Sequence, residues 1–514
     1  MTIVLVLAFL VITAIGVPLF LLFGAASMVL FASGDGGTIT SVAIDVFSEK
    51  FADSPTLVTI PLFTIAGYLM AEGGTPRRLI KLSRALLGWM PGGLAIVCLC
   101  TSAFFTTFTG GSGITIVAIG GLLMPALVQE GYPKRFSLGL ITSAGSLGIM
   151  FPPALPLILY GIVANVLIDK LFLAGLIPGL LTVFALCAYA GLVGHRAKVE
   201  RVPFEFKKAL AAIWESKWEL GLPIVVVGGM ATGLLRVHEA SAFTGLYVLL
   251  IEAFVYREIS LSRDLPRIIR ESMTLVGAIL AILSTAIGFT GYLIQAQVPM
   301  QLLAAMQVFI TSKFMFLLVL NVFLLIAGMV MEIFAAIFVV VPLIVPIAAH
   351  FGIDPYHLGI TFLVNLEIAY LAPPLGLNLI ISSFRFERPV TEVYRAVLPF
   401  IGVLAITLLI TTYVPWLSTF LPSLSKTQDL TNEERGLEGP HRDGANGEPA
   451  SEGVPGADDG PTLDDLDQPG GGDTLDDLDK PAGGETLEDL DTLNLDDLEK
   501  EVPPPVEPAP AKAE

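Results

Sequence analysis

The stretches that decide the fold are Ser143-Ala-Gly-Ser-Leu-Gly-Ile-Met-Phe-Pro-Pro153 and Asn365-Leu-Glu-Ile-Ala-Tyr-Leu-Ala-Pro-Pro-Leu-Gly-Leu-Asn378. Each is apolar enough to run as a buried helix until it meets two adjacent prolines. Proline removes a backbone N–H and clashes with the carbonyl one turn back, so a helix breaks there. Ser143, Gly145 and Ser146 stand just ahead of the first break, while Asn365 and Asn378 flank the second. A broken helix exposes carbonyls at one half-helix end and N–H groups at the other. The first end suits a cation and the second an anion.

The surroundings of these breaks are apolar. The chain has 514 residues, 54% of them hydrophobic and 15% charged, whereas soluble domains carry about 25% charged residues. Thr2–Phe31, Gly175–Gly194 and Leu398–Leu417 are nearly free of charge, and runs of about 20 residues cross the hydrocarbon core as helices. Backbone polar groups cannot stay unpaired in lipid, and continuous apolar runs without period-two alternation select helices over a barrel. The expected class is an all-α polytopic membrane protein. Thr2–Phe31 lacks a basic start and is too long for a signal-peptide core, so it reads as a retained first helix. Cys98, Cys100 and Cys187 lie in apolar runs and read as small buried hydrophobes, not as a disulfide framework or metal site.

The formal charge of −18 is unevenly placed. Residues Ser423–Glu514 hold 26 acidic and 6 basic side chains, a balance of −20, and the rest of the chain has a balance of +2. That near-neutral body offers no nucleic-acid surface. Its basic residues cluster at Arg77/Arg78/Lys81/Arg84, Lys134/Arg135, His195–Lys217, Arg257–Arg270 and Arg385/Arg388/Arg395. The positive-inside rule places all five clusters in the cytoplasm. For that, Gly92–Glu130 and Phe314–His350 must be re-entrant hairpins opening to opposite sides. Their tips fall at Thr109-Gly110-Gly111-Ser112-Gly113 and near Ala327–Glu332. Irregular backbone at this depth is tolerated only where it lines a protein or water cavity.

A shift of 221 residues places Pro125 on Pro346, Gly131 on Gly352 and Pro152-Pro153 on Pro373-Pro374. A shift of 224 places Gly67-Tyr68-Leu69 on Gly291-Tyr292-Leu293. An inverted repeat follows: a transporter body over 1–422, with repeat one about 1–194, a linker and single helix (about Leu220–Leu235) over 195–236, and repeat two about 237–422. Residues 423–514 form a separate acidic tail. It carries Thr-Leu-Asp-Asp-Leu-Asp at Thr462–Asp467 and Thr474–Asp479, and a Glu variant at Thr486–Asp491, at a period of 12. With Gly- and Pro-rich spacers it is expected to be disordered. The hairpin count places it on the periplasmic side.

Two hairpin tips meeting two breaks would form paired sites near the midplane. The candidate cation ligands are Thr109, Gly111, Ser112, Ser143, Ser146, Pro152, Glu332, Asn365 and Pro373. Ser112, Gly145 and Asn378 are candidates for holding substrate. The plainer readings are a tolerated proline kink and hydroxyls that bond back to their own helix. Glu332 and Glu367 are the acids in these deep segments, and an intramembrane carboxylate reads as functional by default. Glu332 could equally cap the second arm of its hairpin. His238-Glu239 lacks the second histidine of a zinc motif, and no phosphate-binding loop occurs.

Ile60-Pro61-Leu62-Phe63 with Gly67-Tyr68-Leu69-Met70, Gly148–Gly161, and Asn365-Leu366 with Pro373–Leu379 together resemble the large permease subunit of the tripartite ATP-independent periplasmic (TRAP) transporters. The resemblance spans about Thr2–Leu421 and omits the acidic tail. It implies Na⁺-coupled, elevator-type uptake of small organic acids such as C4-dicarboxylates across the bacterial inner membrane. No other cofactor is implied. The implied partners are a small four-helix membrane subunit and a periplasmic substrate-binding protein. The Gly110-Gly111-Ser112-Gly113 tip departs from the Ser-rich form common in that family. Two other readings remain: an ion-coupled inverted-repeat carrier without a binding protein, and a membrane-embedded scaffold or enzyme. No His pair, Ser-His set or carboxylate dyad at helical spacing supports an enzyme.

Overall fold

Turn residues dictate where this chain changes direction. The computed structural model describes residues 17–33, 55–199, 203–307, 309–310, 312–374 and 376–424. Among them every regular element is helical and no strand occurs. The first described helix is α1 (Leu19–Ser33). Next come α2 (Thr59–Glu72) and α3 (Thr75–Leu87), bent by 72° at Gly73-Gly74. α4 (Gly93–Thr109) and α5 (Ser112–Gln129) are separated by Gly110-Gly111. α6 (Lys134–Ala144), a 3-10 turn (Leu147–Met150) and α7 (Leu155–Ala164) make the first broken helix, bent by 45°. α8 (Ile168–Arg196), α9 (Phe206–Glu215), α10 (Lys217–Ala231) and α11 (Val237–Leu250) follow, and α11 runs into a π turn at Ile251–Val255.

The second half begins with α12 (Asp264–Gln295) and α13 (Val298–Gln307). α14 (Lys313–Val330) and α15 (Ile333–His350) are separated by Met331-Glu332. α16 (Pro355–Ala369) and α17 (Leu377–Phe386) flank the second proline pair, and α18 (Val390–Tyr413) and α19 (Trp416–Leu424) follow. The offset of 221 that relates the prolines also relates helix ends. It carries Thr109 onto Val330, Ser112 onto Ile333, Gln129 onto His350 and Lys134 onto Pro355.

Local chemistry explains these ends. Gly110 closes α4 at φ +63°, a left-handed conformation that glycine adopts without penalty, and its N–H reaches Thr106 O. Asp354 opens α16, its Oδ1 accepting from the N–H groups of Tyr356 (2.9 Å) and His357 (3.0 Å), with Pro355 at the first helical position. Pro152-Pro153 and Pro373-Pro374 are both cis.

Seven described helices are long and apolar enough to cross a membrane, or up to nine if each bent pair counts as one span. One contiguous core runs through α2, α4–α8 and α14–α18. Lipid supplies little hydrophobic drive between helices, so close packing and polar bonds hold them. Many buried hydroxyls bond back to their own helix, as Thr64 does to Ile60 O (2.6 Å) and Thr244 to Ala240 O (2.7 Å).

Several expectations shift. The second interruption falls at Met331-Glu332, the far end of the expected tip. The single helix expected at about Leu220–Leu235 begins earlier, as α10 from Lys217. The last span is interrupted at Val414-Pro415. The Arg77/Arg78/Lys81/Arg84 cluster lies on α3, with Leu79, Leu82 and Arg78 buried. The reading of Thr2–Phe31 as one helix falls partly outside the described residues, and the acidic tail beyond Leu424 falls wholly outside them.

Candidate functional site

The first break packs against the α4–α5 interruption and against α17. Gly145 makes this possible: a Cβ there would stand 2.5 Å from Ile116 and 3.1 Å from Ser112 O. Gly148 lets the turn press on α4, since a Cβ would lie 2.4 Å from Ala103 O and from Thr107 N. Thr106 Oγ1 reaches Gly145 O (3.0 Å) and pairs with Thr115 Oγ1 (2.7 Å), fastening the break to both arms of the interruption.

Asn378 enters from the second break. Its Nδ2 donates to Thr142 O and Ser146 Oγ, each at 3.4 Å, and Thr142 Oγ1 donates to Ser382 Oγ of α17 (2.9 Å). So Ser112, Gly145, Ser146 and Asn378 come together around one break. Thr109 ends α4 against α2, where a Cβ on Gly67 would lie 2.8 Å from its Cα. Pro152 is buried and Gly111 half-buried.

Buried oxygens without a partner also occur in this region. Thr109 Oγ1, Ser143 Oγ and Asn378 Oδ1 are buried and have no hydrogen-bond partner among the described residues. An unsatisfied buried polar group costs about 1–3 kcal/mol, so such atoms call for a ligand or a water. Hydroxyl and amide oxygens without a net charge are hard ligands of the kind that Na⁺ accepts.

The second break is arranged differently. Glu332 is exposed and caps α15, its Oε2 accepting from Phe334 N–H at 2.8 Å. Its Oε1 accepts from Tyr370 OH (3.3 Å), and the Tyr370 hydroxyl accepts from Ile333 N–H (2.8 Å). Asn365 is not brought to Glu332. Its Nδ2 donates to Asn321 Oδ1 of α14 and to Thr361 O, each at 2.8 Å, and its own Oδ1 has no partner among the described residues. Pro373 is exposed. The two breaks are therefore chemically unequal.

Sequence reasoning missed Thr106, Thr115, Thr142, Asn321 and Tyr370. Single threonines on apolar helices look like helix glue. Only the Thr106-to-Thr115 clustering of hydroxyls around a glycine-marked tip could have flagged the first two.

The family model for the DctM component of the tripartite ATP-independent periplasmic transporter matches residues 6–417. The C4-dicarboxylate TRAP transporter large permease protein DctM of Pseudomonas aeruginosa is 36% identical, covering 78% of this chain and 92% of that protein. Its counterpart in Vibrio cholerae is 33% identical, covering 80% and 95%. The isethionate TRAP transporter permease protein DctMQ of Oleidesulfovibrio alaskensis is 37% identical over 79% of this chain, which spans 64% of that longer protein. Among solved structures, the Alcanivorax borkumensis YdaH transporter shares the fold, with a TM-score of 0.54 at 15% identity, covering 80% of this chain and 97% of that one. The chain thus belongs to the DctM component family of the tripartite ATP-independent periplasmic transporters, inner-membrane permease subunits and not enzymes.

Proposed function

We propose that this chain is the large permease of a Na⁺-coupled uptake system for small organic acids, with C4-dicarboxylates or related carboxylates as the substrate class. The observation that carries this reading is the set of buried, unpartnered oxygens at Thr109, Ser143 and Asn378. Na⁺ is cargo here, and this neutral oxygen set around the first break fits it. The relatives named for C4-dicarboxylates support the substrate class.

The body works as an inverted repeat in which the α4–α5 and α14–α15 pairs are re-entrant and move with the broken helices, elevator-like, against the remaining helices. A small four-helix subunit and a periplasmic binding protein complete the system. Reconstituted with those partners, the protein accumulates substrate under an inward Na⁺ gradient and stops when K⁺ replaces Na⁺. Undiminished accumulation driven by a pH gradient alone overturns the reading.

A further inference from the structure

The short helix α9 has one packed side and two unlike free ones. At about 100° per residue, Ile213, Phe206, Leu210 and Trp214 share one sector, Lys207, Ala211, Glu215 and Lys208 the next, and Ala212 and Ala209 the third. The third sector is buried, with Ala212 in a cluster with Leu79 and Leu82 of α3. The first is bare: Phe206 and Trp214 are each 71% exposed and Leu210 55%. Leaving such a stripe in water costs ~25 cal/mol for each Å² of apolar surface, so an apolar medium belongs over it. α9 cannot cross a bilayer to reach one. Its ten residues extend over about 15 Å, half of the hydrocarbon core. It packs on α3, which turns 72° away from the line of α2.

The charges that border the stripe are cationic. Lys207 follows Trp214 around the helix, and Lys217 Nζ stands 4.0 Å from the centroid of the Trp214 ring and 5.1 Å from that of Trp218. Neither lysine has a carboxylate partner among the described residues, whereas Lys208 pairs with Glu205 (2.6 Å) and Lys81 of α3 with Glu215. Aromatic and aliphatic side chains flanked by free lysines are the composition of a helix that lies in the membrane interface, its rings at headgroup level and its ammonium groups reaching phosphate.

We propose that α9 is seated in the membrane interface and binds anionic phospholipid there. Phe206, Leu210, Ile213 and Trp214 enter between the acyl chains, and Lys207 and Lys217 hold the headgroup phosphates above them. A protein partner would need a groove shaped to the stripe and acids placed for both lysines, whereas an anionic leaflet supplies both without a matched shape. Because α9 packs on α3, the leaflet also fixes the corner that Arg78 ties together. This site is separate from the first break, and its test involves neither Na⁺ nor substrate.

The full chain, bound to its small membrane subunit, is placed in vesicles of equal parts phosphatidylcholine and phosphatidylglycerol. Bromine on the acyl chains near the headgroup should quench the fluorescence that wild type has and Trp214→Phe lacks, and bromine near the chain ends should quench it less. Should Trp214→Phe fail to fold, the Trp89→Phe/Trp218→Phe/Trp416→Phe chain reports Trp214 alone. Phosphatidylglycerol retained through detergent extraction is then measured by mass spectrometry. Lys207→Gln/Lys217→Gln should keep several-fold less than wild type, and Lys207→Arg/Lys217→Arg as much. An unquenched Trp214 overturns the proposal. Quenching that appears only when the small subunit is removed also overturns it, and gives the stripe to that subunit. Equal retention by wild type and the glutamine variant removes the anionic lipid from the site.

Discussion

Arg78 Nη2 lies 2.7 Å from Glu252 Oε1, an ion pair in which both side chains are buried and which ties α3 to the π turn after α11. The same guanidinium reaches Glu258 through Nη1 (2.6 Å) and Glu219 of α10 through Nε. Thr75 Oγ1 donates to Glu252 (2.7 Å), and the Tyr256 ring centroid lies 3.6 Å from the guanidinium carbon. A planar fork of donors can serve several carboxylates at once, which an ammonium cannot do with fixed geometry. Arg78 therefore pins α3 to two later segments.

Removing the fork strands its carboxylates. Breaking a buried ion pair from one side costs about 3–5 kcal/mol, so Arg78→Leu should lower the thermal unfolding temperature of the purified protein markedly. Adding Glu252→Gln removes one stranded charge and should recover part of the loss. Unchanged melting of Arg78→Leu would show that the cluster is not holding the corner.

Close approach of α2 to the end of α4 depends on one absent methyl. A Cβ on Gly67 would lie 2.2 Å from Phe108 O, a backbone atom that cannot rotate aside. Gly67→Ala should impair both stability and transport, whereas Gly402→Ala, which meets nothing within 4 Å, should leave both unchanged. Equal behaviour of the two variants would remove the packing argument.

Partnered and unpartnered hydroxyls at the first break should respond in opposite ways. Ser143 Oγ is buried without a partner among the described residues, so Ser143→Ala removes an unsatisfied group and should leave the ion-free protein at least as stable as wild type. It should nevertheless raise the Na⁺ concentration for half-maximal uptake several-fold if this oxygen ligates the ion. Thr142 Oγ1 bonds Leu138 O (2.7 Å) and Ser382, so Thr142→Val should cost about 1 kcal/mol of stability. A Ser143→Ala protein with unchanged Na⁺ dependence removes Ser143 from the site.

What could be read from the residues was local punctuation. Pro152-Pro153, Pro373-Pro374 and Gly110-Gly111 each impose a backbone event that no tertiary context can cancel, so the interruptions were legible. Side-chain destinations were not. Asn378 looks like part of the second break, yet it bonds into the first, because α17 folds back beside α6 and no periodicity encodes that return. Arg78 sits in a basic run that the positive-inside rule assigns only to a side of the membrane. Its partners lie 141 to 180 residues further on, beyond the reach of any pattern of spacing. Asn365 was expected near Glu332, but its position on α16 turns it toward Asn321 on α14.

Glu332 offers the sharpest division between a structural and an ionic role. Its Oε2 caps α15 through Phe334 N–H, and its Oε1 holds Tyr370. Both oxygens are engaged, unlike those at the first break. Glu332→Gln keeps an oxygen for the cap and removes the charge, so stability and the Na⁺ concentration for half-maximal uptake should both stay close to wild type. Glu332→Ala removes the cap and should cost about 1 kcal/mol. Tyr370→Phe strips the hydroxyl that accepts from Ile333 N–H, and should loosen the same turn by a similar amount. Melting curves of the three variants, measured beside Na⁺ titrations of uptake, separate the roles. A stable Glu332→Gln protein that needs several-fold more Na⁺ would show that the carboxylate takes part in coupling and is more than a cap.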